Sequence, residues 1–347
     1  MFLVLFLCAV MWGIGWMMGA PKSQRGIMVG VLLAGVVLVQ LVLPDGHPLR
    51  EATGSSPGLW LLLAGFVAIG VGYGQIIRVL RQRAEQAQTP ETAASPGSFS
   101  ETELNRYARH IVLRELGGAG QKRLKSSRVL VIGAGGLGAP VLQYLAAAGV
   151  GTIGVIDDDV VDNANLQRQV IHRDTDIGMP KVFSAEAAMK AQNPYVIVRP
   201  YNRRLSEEIA SDLFADYDLI IDGTDNFDSR YLANRVAVAQ GKPLISGALS
   251  QWEGQVSVFH PKAGGPCYQC IFPEAPAPGL APSCAEAGVV GPLPGVIGSV
   301  MALEAVKWIA DAGMVLRGEM LIYDGLYGET RKIALKQRSD CPVCAKG

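Results

Sequence analysis

The chain lacks an excess of charge of either sign, and its first 77 residues contain almost no charge at all. Its 347 residues include 31 lysines and arginines and 31 aspartates and glutamates, so the formal net charge is zero. This balance gives no indication of a nucleic-acid partner, which a basic excess would suggest. Hydrophobic residues make up 49% of the chain, more than one soluble domain needs. Only residues 101–347 have the composition of an ordinary α/β protein.

Three long apolar runs without charged residues occupy the N-terminal region, at about 2–20, 27–43 and 59–77. Each is close to the ~20 residues that a helix needs to cross a bilayer core. We therefore predict a transmembrane region over residues 1–83 with three spans. No basic segment precedes the first run and no small-residue cleavage site follows it, which argues against a signal peptide. The absence of charge inside the runs argues against transport.

The basic residues around these runs predict the orientation of the chain. Lys22 and Arg25 lie between the first two runs, and Arg78, Arg81 and Arg83 follow the third. Basic residues collect on the cytoplasmic side of membrane proteins, so three crossings require an N-terminus outside. We expect a multi-pass protein of the bacterial inner membrane whose C-terminal domain is cytoplasmic.

The rest of the chain predicts an α/β fold after a linker. Residues 84–100 are rich in Ala, Gln, Ser, Thr, Pro and Glu without an apolar period, which is typical of a linker. Ser100 and Glu103 form a capping pattern that predicts one helix to about Glu115. Strand-like and helix-like segments then alternate, as in a doubly wound, Rossmann-like parallel sheet within one domain, 101–347. An antiparallel extension of this sheet is predicted from three later segments: 255–260, 320–323 and 330–335.

A glycine turn within residues 128–138 predicts a nucleotide site. A buried strand leads into Gly133, Gly135 and Gly138, which match G-x-G-x-x-G, and a helix follows. The first glycine allows a tight turn, the second lets a phosphate approach the backbone, and the third lets helix and strand pack closely. The next strand ends in Asp157, where a ribose-binding carboxylate is expected. This context favours a nucleotide site over a structural turn without identifying the nucleotide.

Further charged residues follow the strands of the same predicted sheet. Arg168 and Lys181 could supply cations for a triphosphate, and Asp225, at the end of another strand, could hold Mg²⁺. Ligands bind at the carboxyl edge of such parallel sheets. Solvated loops with local ion pairs would explain some of these residues one at a time. They do not explain well why the residues meet at one edge of the sheet.

Two pairs of cysteines predict a structural zinc site. Cys267 and Cys270, and far along the chain Cys341 and Cys344, have identical C-x-x-C spacing. Tetrahedral zinc is commonly held by two such knuckles. Disulfides are disfavoured in a cytoplasmic domain, and neither pair begins a helix after a strand as redox C-x-x-C motifs do. The zinc would pin the C-terminal tail onto the loop around Cys267.

Together these motifs resemble the MoeB/ThiF/HesA adenylyltransferases, prokaryotic relatives of ubiquitin-activating enzymes. The resemblance covers about residues 100–347 and is closest to the type that activates molybdopterin synthase. It departs from that type in the apolar N-terminal region and in the lack of a rhodanese-like domain after Cys344. The residues that carry it are Arg106-Tyr107-x-Arg109, Gly133-x-Gly135-Gly136-x-Gly138, Asp157-x-Asp159, Asn165-Leu-Gln-Arg168-Gln, Lys181, Thr224-Asp225-Asn226, the paired cysteines, and Glu286-Ala-Gly288 after Cys284.

The resemblance implies an ATP site, with Arg168 and Lys181 on the phosphates and Asp225 on Mg²⁺. Arg109 would reach into the site of the other protomer of a homodimer. The residues implied to bind the nucleotide are Gly133, Gly135, Gly136, Gly138, Asp157, Asp159, Asn165, Arg168, Lys181, Asp225 and Asn226.

The resemblance also implies the reaction. The C-terminal Gly-Gly of a small ubiquitin-like sulfur carrier would enter the site, and its carboxylate would attack the α-phosphorus of ATP. The acyl adenylate and pyrophosphate would result, and the activated carrier would go on to a thiocarboxylate in sulfur transfer of the molybdopterin or thiamine type. Its carboxylate is already ionised, so the step needs cations and metal rather than a general base.

Cys284 is a candidate for a covalent step. It lies in a Pro-, Ala- and Gly-rich loop outside the paired cysteines, and its position corresponds in the family to a sulfur-transfer cysteine. Its thiolate would attack the adenylate to form a thioester or, with a persulfide from a sulfur donor, an acyl disulfide. No neighbouring histidine or lysine would lower its pKa. An unreactive loop residue is an equally good interpretation.

Other functions share parts of this pattern. A membrane-tethered NAD- or FAD-dependent oxidoreductase would use the same glycine turn, although Arg168, Lys181 and Asp225 suit a triphosphate and metal better. A non-catalytic membrane scaffold for a ubiquitin-like partner would need none of those side chains. Adenylation of a carboxylate borne on tRNA is a related activity that the paired cysteines disfavour.

Overall fold

The structure is a computed structural model, and the chain in it divides into two compact units, Met1–Thr92 and Ala93–Gly347. Most of the predicted linker, 84–100, lies outside the described residues, so the domain limits predicted from sequence stay predictions. The structure describes residues 2–54, 57–87, 98–277 and 287–345.

The N-terminal unit is entirely helical where it is described. A small apolar cluster of Val4, Val36 and Trp60 holds its helices together. The Gln40 amide donates to the Arg50 carbonyl and to Thr53 Oγ1, both at 2.9 Å, and so closes the turn between the second and fourth helices. The helices are α1 (Phe2–Met17), α2 (Lys22–Val42), α3 (Pro48–Thr53) and α4 (Pro57–Ala87).

The prediction of three membrane spans is supported only in part. Among the described residues, two helical segments are long and apolar enough to cross a bilayer, Ser23–Val42 and Pro292–Ala310. The second is half buried within its own unit and belongs to that unit's core. Phe2–Met17 is apolar but shorter. The structure therefore supports one membrane span in the described part of the N-terminal unit, Ser23–Val42, rather than the three predicted.

An eight-stranded mixed sheet forms the centre of the second unit. Its strand order is β3-β2-β1-β4-β5-β6-β7-β8. The first five strands in this order pair in parallel with their neighbours. The last three, β6, β7 and β8, extend the sheet by antiparallel pairing. The predicted parallel sheet with an antiparallel extension is thus confirmed. The strands are β1 (Arg128–Ile132), β2 (Thr152–Asp157), β3 (Ile197–Asn202), β4 (Leu219–Asp222), β5 (Leu244–Leu249), β6 (Glu253–Phe259), β7 (Glu319–Asp324) and β8 (Glu329–Ala334).

Helices cover both faces of this sheet. Successive residues of β1 point to opposite sides, so that Val129 and Val131 enter one hydrophobic core and Leu130 and Ile132 enter the other. Side chains of α7, α8, α9 and α13 complete the first core, and those of α10 and α11 the second. The helices of this unit are α5 (Glu101–Arg106), α6 (Ala108–Ile111), α7 (Gly117–Ser126), α8 (Gly138–Ala148), α9 (Lys181–Gln192), α10 (Glu207–Ala215), α11 (Phe227–Ala239), α12 (Tyr268–Ile271) and α13 (Pro292–Ala310).

The helix predicted from Ser100 to about Glu115 is interrupted. The capping box of Ser100 and Glu103 is present, but the helix ends at Arg106. Tyr107, which separates α5 from α6, turns its ring inward and accepts a hydrogen bond from the Asn193 amide at 2.8 Å. Burial of the Tyr107 ring therefore interrupts the helix, although the local sequence pattern is helical.

Candidate active site

A cleft of about 540 Å³ opens beside the carboxyl ends of β1, β2 and β4. The strand order reverses here, because the chain adds β2 and β3 on one side of β1 and β4 and β5 on the other. Such reversal points are where open α/β sheets bind ligands. Nine of the residues predicted for the site line this cleft: Gly133, Gly135, Gly136, Asp157, Asp159, Arg168, Lys181, Asp225 and Asn226.

Each of the three glycines of the turn is required at its position for a different structural reason. Gly133 has a φ of +95°, and a Cβ on it would lie 3.1 Å from the Gly223 carbonyl oxygen. A Cβ on Gly138 would lie 1.9 Å from the Gly133 carbonyl oxygen, so packing of turn against helix excludes any side chain. Gly135 has no such restriction, since the nearest atom to its Cβ position is the Gln169 amide at 3.6 Å. Its bare backbone faces the cleft, as phosphate binding requires.

Asp157 links the glycine turn to the end of β2. One carboxylate oxygen accepts from the Ala134 N–H at 2.7 Å, and the other accepts from the Asp159 N–H at 2.8 Å. Burial raises the pKa of Asp157, against the opposing charge of Lys181. The carboxylate is therefore rigidly placed, with remaining lone pairs open to a ribose hydroxyl.

Two cations stand on the same side of the cleft. The ammonium of Lys181 is almost fully buried and donates to Asp159 Oδ2 at 2.7 Å. The guanidinium of Arg168 is held by Asn165 Oδ1 at 2.8 Å and by the Ala164 carbonyl at 3.3 Å. Asn165 does not line the cleft and acts through Arg168. These contacts hold both cations at the wall of the cleft, where charge-assisted hydrogen bonds to an anion could form.

Asp225 and Asn226 follow β4 and differ in what they contact. The Asn226 side chain accepts from the Ser229 N–H at 2.9 Å and caps α11, so its amide oxygen is already used. Asp225 is exposed and, within the described part of the chain, makes no hydrogen bond or ion pair. An uncommitted carboxylate at a phosphate cleft is suited to a hydrated divalent cation.

A buried ion pair at the floor of the cleft was not predicted from the sequence. Asp222, the last residue of β4, is 1% exposed, and Arg230, on α11, is 5% exposed. Arg230 Nη1 lies 3.4 Å from Asp222 Oδ2 and donates to Ser246 Oγ at 3.1 Å, and Nη2 donates to the Thr224 carbonyl. Arg230 also lines the cleft. The sequence carries no signal for this pair, because α11 has a second arginine, Arg235, with the same local pattern, and only packing on the sheet buries Arg230.

Two predicted residues stand apart from the cleft. Arg109 is exposed on α6 and is not among the residues that line it. Its implied role, which is to complete the site of a second copy of the chain, stays a prediction. Cys284 lies outside the described residues.

The four paired cysteines form one buried cluster. The Sγ–Sγ distances are 3.9 Å between Cys267 and Cys270, 3.6 Å between Cys267 and Cys341, and 3.4 Å between Cys270 and Cys344. Four thiolates around zinc at ~2.3 Å lie about 3.8 Å apart, so the cluster has the size of a zinc site. All four sulfur atoms lie within 4.8 Å of one another.

The surroundings of the cluster also suit a metal. The Asn234 amide donates to Cys267 Sγ at 3.7 Å and the Gln337 amide to Cys344 Sγ at 3.5 Å, which would orient sulfur ligands. Burial raises the pKa of the Cys267 thiol. A bound cation would offset this cost by stabilising the thiolate.

This fold and cleft define a nucleotide-binding protein of the doubly wound α/β class, and the sequence identifies its family. Residues 107–343 match the ThiF family, and the chain belongs to that family. The resemblance stated from the motifs is thereby confirmed.

Named relatives match about 70% of the chain at close to 50% identity. The chain is 48% identical over 250 residues to the SAMP-activating enzyme E1 of Haloferax volcanii, covering 72% of this chain and 92% of that protein. It is 49% identical over 250 residues to the sulfur carrier protein adenylyltransferase of Thermus thermophilus, covering 71% and 92%.

Solved structures share the fold at lower identity. The structure of E. coli MccB with ATP superposes with a TM-score of 0.60 at 21% identity, covering 70% of this chain and 75% of that one. PaaA gives a TM-score of 0.61 at 22% identity, covering 87% and 89%.

Proposed function

We propose that the chain is an adenylyltransferase that uses ATP and Mg²⁺ to activate the C-terminal glycine of a small ubiquitin-like sulfur carrier. The observation that carries this proposal is the composition of one cleft, which combines a phosphate-type glycine turn, the cations Arg168, Lys181 and Arg230, and the uncommitted Asp225. These cations, with Arg203 and Arg204, which also line the cleft, suit a triphosphate better than a dinucleotide. The names of the relatives in Haloferax and Thermus support the carrier as substrate.

Each residue has a role that its contacts support. The open backbone at Gly135 and the start of α8 would bind phosphate oxygens, because N–H groups and the helix dipole both favour an anion there. Asp157 would accept from a ribose hydroxyl. Arg168 and Lys181 would neutralise the charge that grows on the phosphates as pyrophosphate leaves. Asp225 would hold Mg²⁺, which shields the phosphates from the incoming carboxylate.

The attacking group needs no base. The carrier's terminal carboxylate is ionised at neutral pH, so the step forms a bond from its oxygen to the α-phosphorus and breaks the bond to the pyrophosphate oxygen. Holding carboxylate and phosphorus in line is the main contribution of the protein. We also propose a homodimer in which Arg109 of each protomer completes the other's site. Cys284 stays a predicted nucleophile for the later sulfur-transfer step.

Pyrophosphate exchange tests the proposal. Wild-type protein with a Gly-Gly-ending carrier should return labelled pyrophosphate to ATP. Asp225→Asn should lower the exchange rate roughly 100-fold or more by weakening the metal. Asp228→Asn, an exposed aspartate on the first turn of α11, is the matched control and should exchange normally. Hydride transfer to NAD or FAD without exchange would instead support the oxidoreductase interpretation.

We further propose that the N-terminal unit spans the membrane three times and holds the catalytic domain at the cytoplasmic face of a bacterial inner membrane. Large apolar side chains are exposed on α1, α2 and α4, which in water would cost free energy in proportion to their area. Lipid would cover them. These side chains include Phe2, Phe6, Trp16, Val31, Leu38, Leu62, Phe66 and Ile69.

The size and burial of the cysteine cluster support a structural zinc ion. Cys267, Cys270, Cys341 and Cys344 would hold it, with all four positions filled by protein and none left for a substrate. The ion would tie the C-terminal residues to the segment that begins α12.

A further inference from the structure

A buried chain of polar side chains lies directly behind the glycine turn, and the proposed chemistry does not use it. His172 is 6% exposed and Ser184 is 1% exposed. His172 Nε2 lies 2.9 Å from the Ala134 carbonyl oxygen, and Nδ1 lies 2.9 Å from Ser184 Oγ. Ser184 Oγ lies 2.7 Å from Asp176 Oδ2. The chain therefore runs from half-buried Asp176 to the backbone of the turn.

The contact with Ala134 determines how the turn faces the cleft. A trans peptide group is planar, with its C=O and N–H pointing in opposite directions. The Ala134 carbonyl is drawn toward His172, so the N–H of Gly135, in the same peptide group, points the other way. Gly135 lines the cleft, and this N–H is one that a phosphate would need. The Ala134 N–H is fixed separately by Asp157.

The number of protons shared by His172, Ser184 and Asp176 decides how many of these three contacts can be hydrogen bonds at once. A carbonyl only accepts, so Nε2 must carry a proton when it bonds to Ala134. Ser184 has a single proton, which it can give to Asp176 or to His172 but not to both. All three contacts are hydrogen bonds at once only if one more proton is present, most simply on Nδ1.

We propose that His172 is a positioning residue for the nucleotide site, which turns the Gly135 N–H toward phosphate through its bond to Ala134, and that the proton shared along Asp176, Ser184 and His172 sets how firmly it does so. This inference rests on the proposed function, because it assumes that the glycine turn binds phosphate.

Loss of the extra proton weakens the hydrogen bond between His172 and the Ala134 carbonyl. If Ser184 then donates to the Asp176 carboxylate, the remaining imidazole proton is drawn to Nδ1, and a bare Nε2 faces the Ala134 carbonyl. The charged groups that act on His172 are Asp157 at the end of β2, Asp176, and Lys181 at the start of α9. Burial lowers the pKa of His172 below its usual value, so this change falls at a lower pH than the titration of an ordinary histidine.

Calorimetric binding by the full-length protein in lipid nanodiscs tests the positioning role. MgATP is one probe, and adenosine, which has no phosphate, is the other. His172→Ala should weaken MgATP at pH 6 by about tenfold (~1.4 kcal/mol) and leave adenosine unchanged. His172→Gln, whose amide can still donate to Ala134, should restore most of the MgATP affinity. His260→Ala is the matched control, because His260 bonds to the Gly241 carbonyl, which does not line the cleft.

A second variant tests the proton. Asp176→Asn can donate its amide to Ser184, which frees the serine proton for Nδ1 and satisfies all three contacts without an extra proton. Wild-type affinity for MgATP, relative to this variant, should therefore fall as the pH rises from acidic values to neutral. Titration of Asp157 and of the nucleotide is common to both proteins and cancels in the ratio.

The outcomes separate this inference from the proposed function. Equal MgATP affinities for wild type and His172→Ala would overturn the positioning role while leaving an ATP site intact. Equal weakening of adenosine and MgATP in both His172 variants would show a merely structural residue. A ratio of wild-type to Asp176→Asn affinity for MgATP that does not change with pH would show that the shared proton has no role. Wild-type protein that binds no MgATP would contradict both the proposed function and this inference.

Discussion

Asp222 and Arg230 show at the scale of single residues how the cleft is stabilised from below. A buried carboxylate and guanidinium are costly to desolvate, and removal of one partner leaves the other charged and unpaired. Here the pair also bonds to Ser246 and Thr224, so the residues that follow β4 and those within β5 are linked. The segment that carries Asp225 is held by this network.

Arg230→Met should destabilise the protein by about 3 kcal/mol, which corresponds to a fall in the unfolding midpoint of roughly 6–12 °C. Arg235→Met is the matched control on the same helix, since Arg235 and its partner Glu207 are both exposed. An exposed pair contributes less than about 1 kcal/mol. Thermal unfolding of the full chain in nanodiscs measures both variants, and similar midpoints would contradict the role given to the buried pair.

Single residues differ in how far the sequence predicts their position. Gly133, Asp157 and Lys181 follow or precede recognisable elements, so their meeting at one sheet edge could be predicted. Asn226 lines the cleft as predicted, but the sequence did not show that its side chain also caps α11. Arg230 could not be selected, because only the packing of α11 on the sheet distinguishes it from the exposed Arg235.

At the scale of elements, the alternation of strands and helices predicted the parallel sheet and its antiparallel extension. The strand order could not be predicted from alternation alone, since it depends on which face each crossover covers. α10 was not predicted at all. It is only 9 residues long and buries only Ala210 and Phe214, so its apolar period is too short to recognise.

The two cysteine pairs join elements that are far apart in sequence, and their removal should be measurable. Wild-type protein should contain about one zinc per chain. Cys341→Ser should lose the metal and, since zinc binding contributes to folding, expose the C-terminal segment to protease. Cys8→Ser, which changes a cysteine of α1 outside the cluster, should retain both zinc and resistance. A metal-free wild-type protein that stayed folded and active would contradict the zinc assignment.

At the scale of the whole molecule, a catalytic unit follows a helical unit whose apolar side chains are exposed. The sequence predicted this division from its apolar runs and its distribution of charge, but the described helices do not reproduce three runs of equal length. α1 has 16 residues and α4 has 31, whereas the runs that predicted them are of similar length. The ends of helices do not follow the ends of apolar runs, because polar residues can extend a helix into water.

Accessibility labelling tests the topology. In a Cys284→Ser background, Ala52→Cys, exposed on α3, should react with an impermeant maleimide added outside intact spheroplasts. Thr92→Cys should react only in inverted vesicles, because three spans place residues 52 and 92 on opposite sides. The background protein without an added cysteine is the control. Labelling of both positions from the same side would rule out three spans.

Transfer of a radioactive label shows whether the cleft joins AMP to the tail of a sulfur carrier. The protein is mixed with Mg²⁺ and a Gly-Gly-ending carrier, together with ATP labelled at the α-phosphate or at the γ-phosphate. We expect the α-label to appear on the carrier and the γ-label not to. A carrier without its last glycine should take up neither. Transfer of the γ-label, or of no label to any Gly-Gly carrier tested, would contradict it.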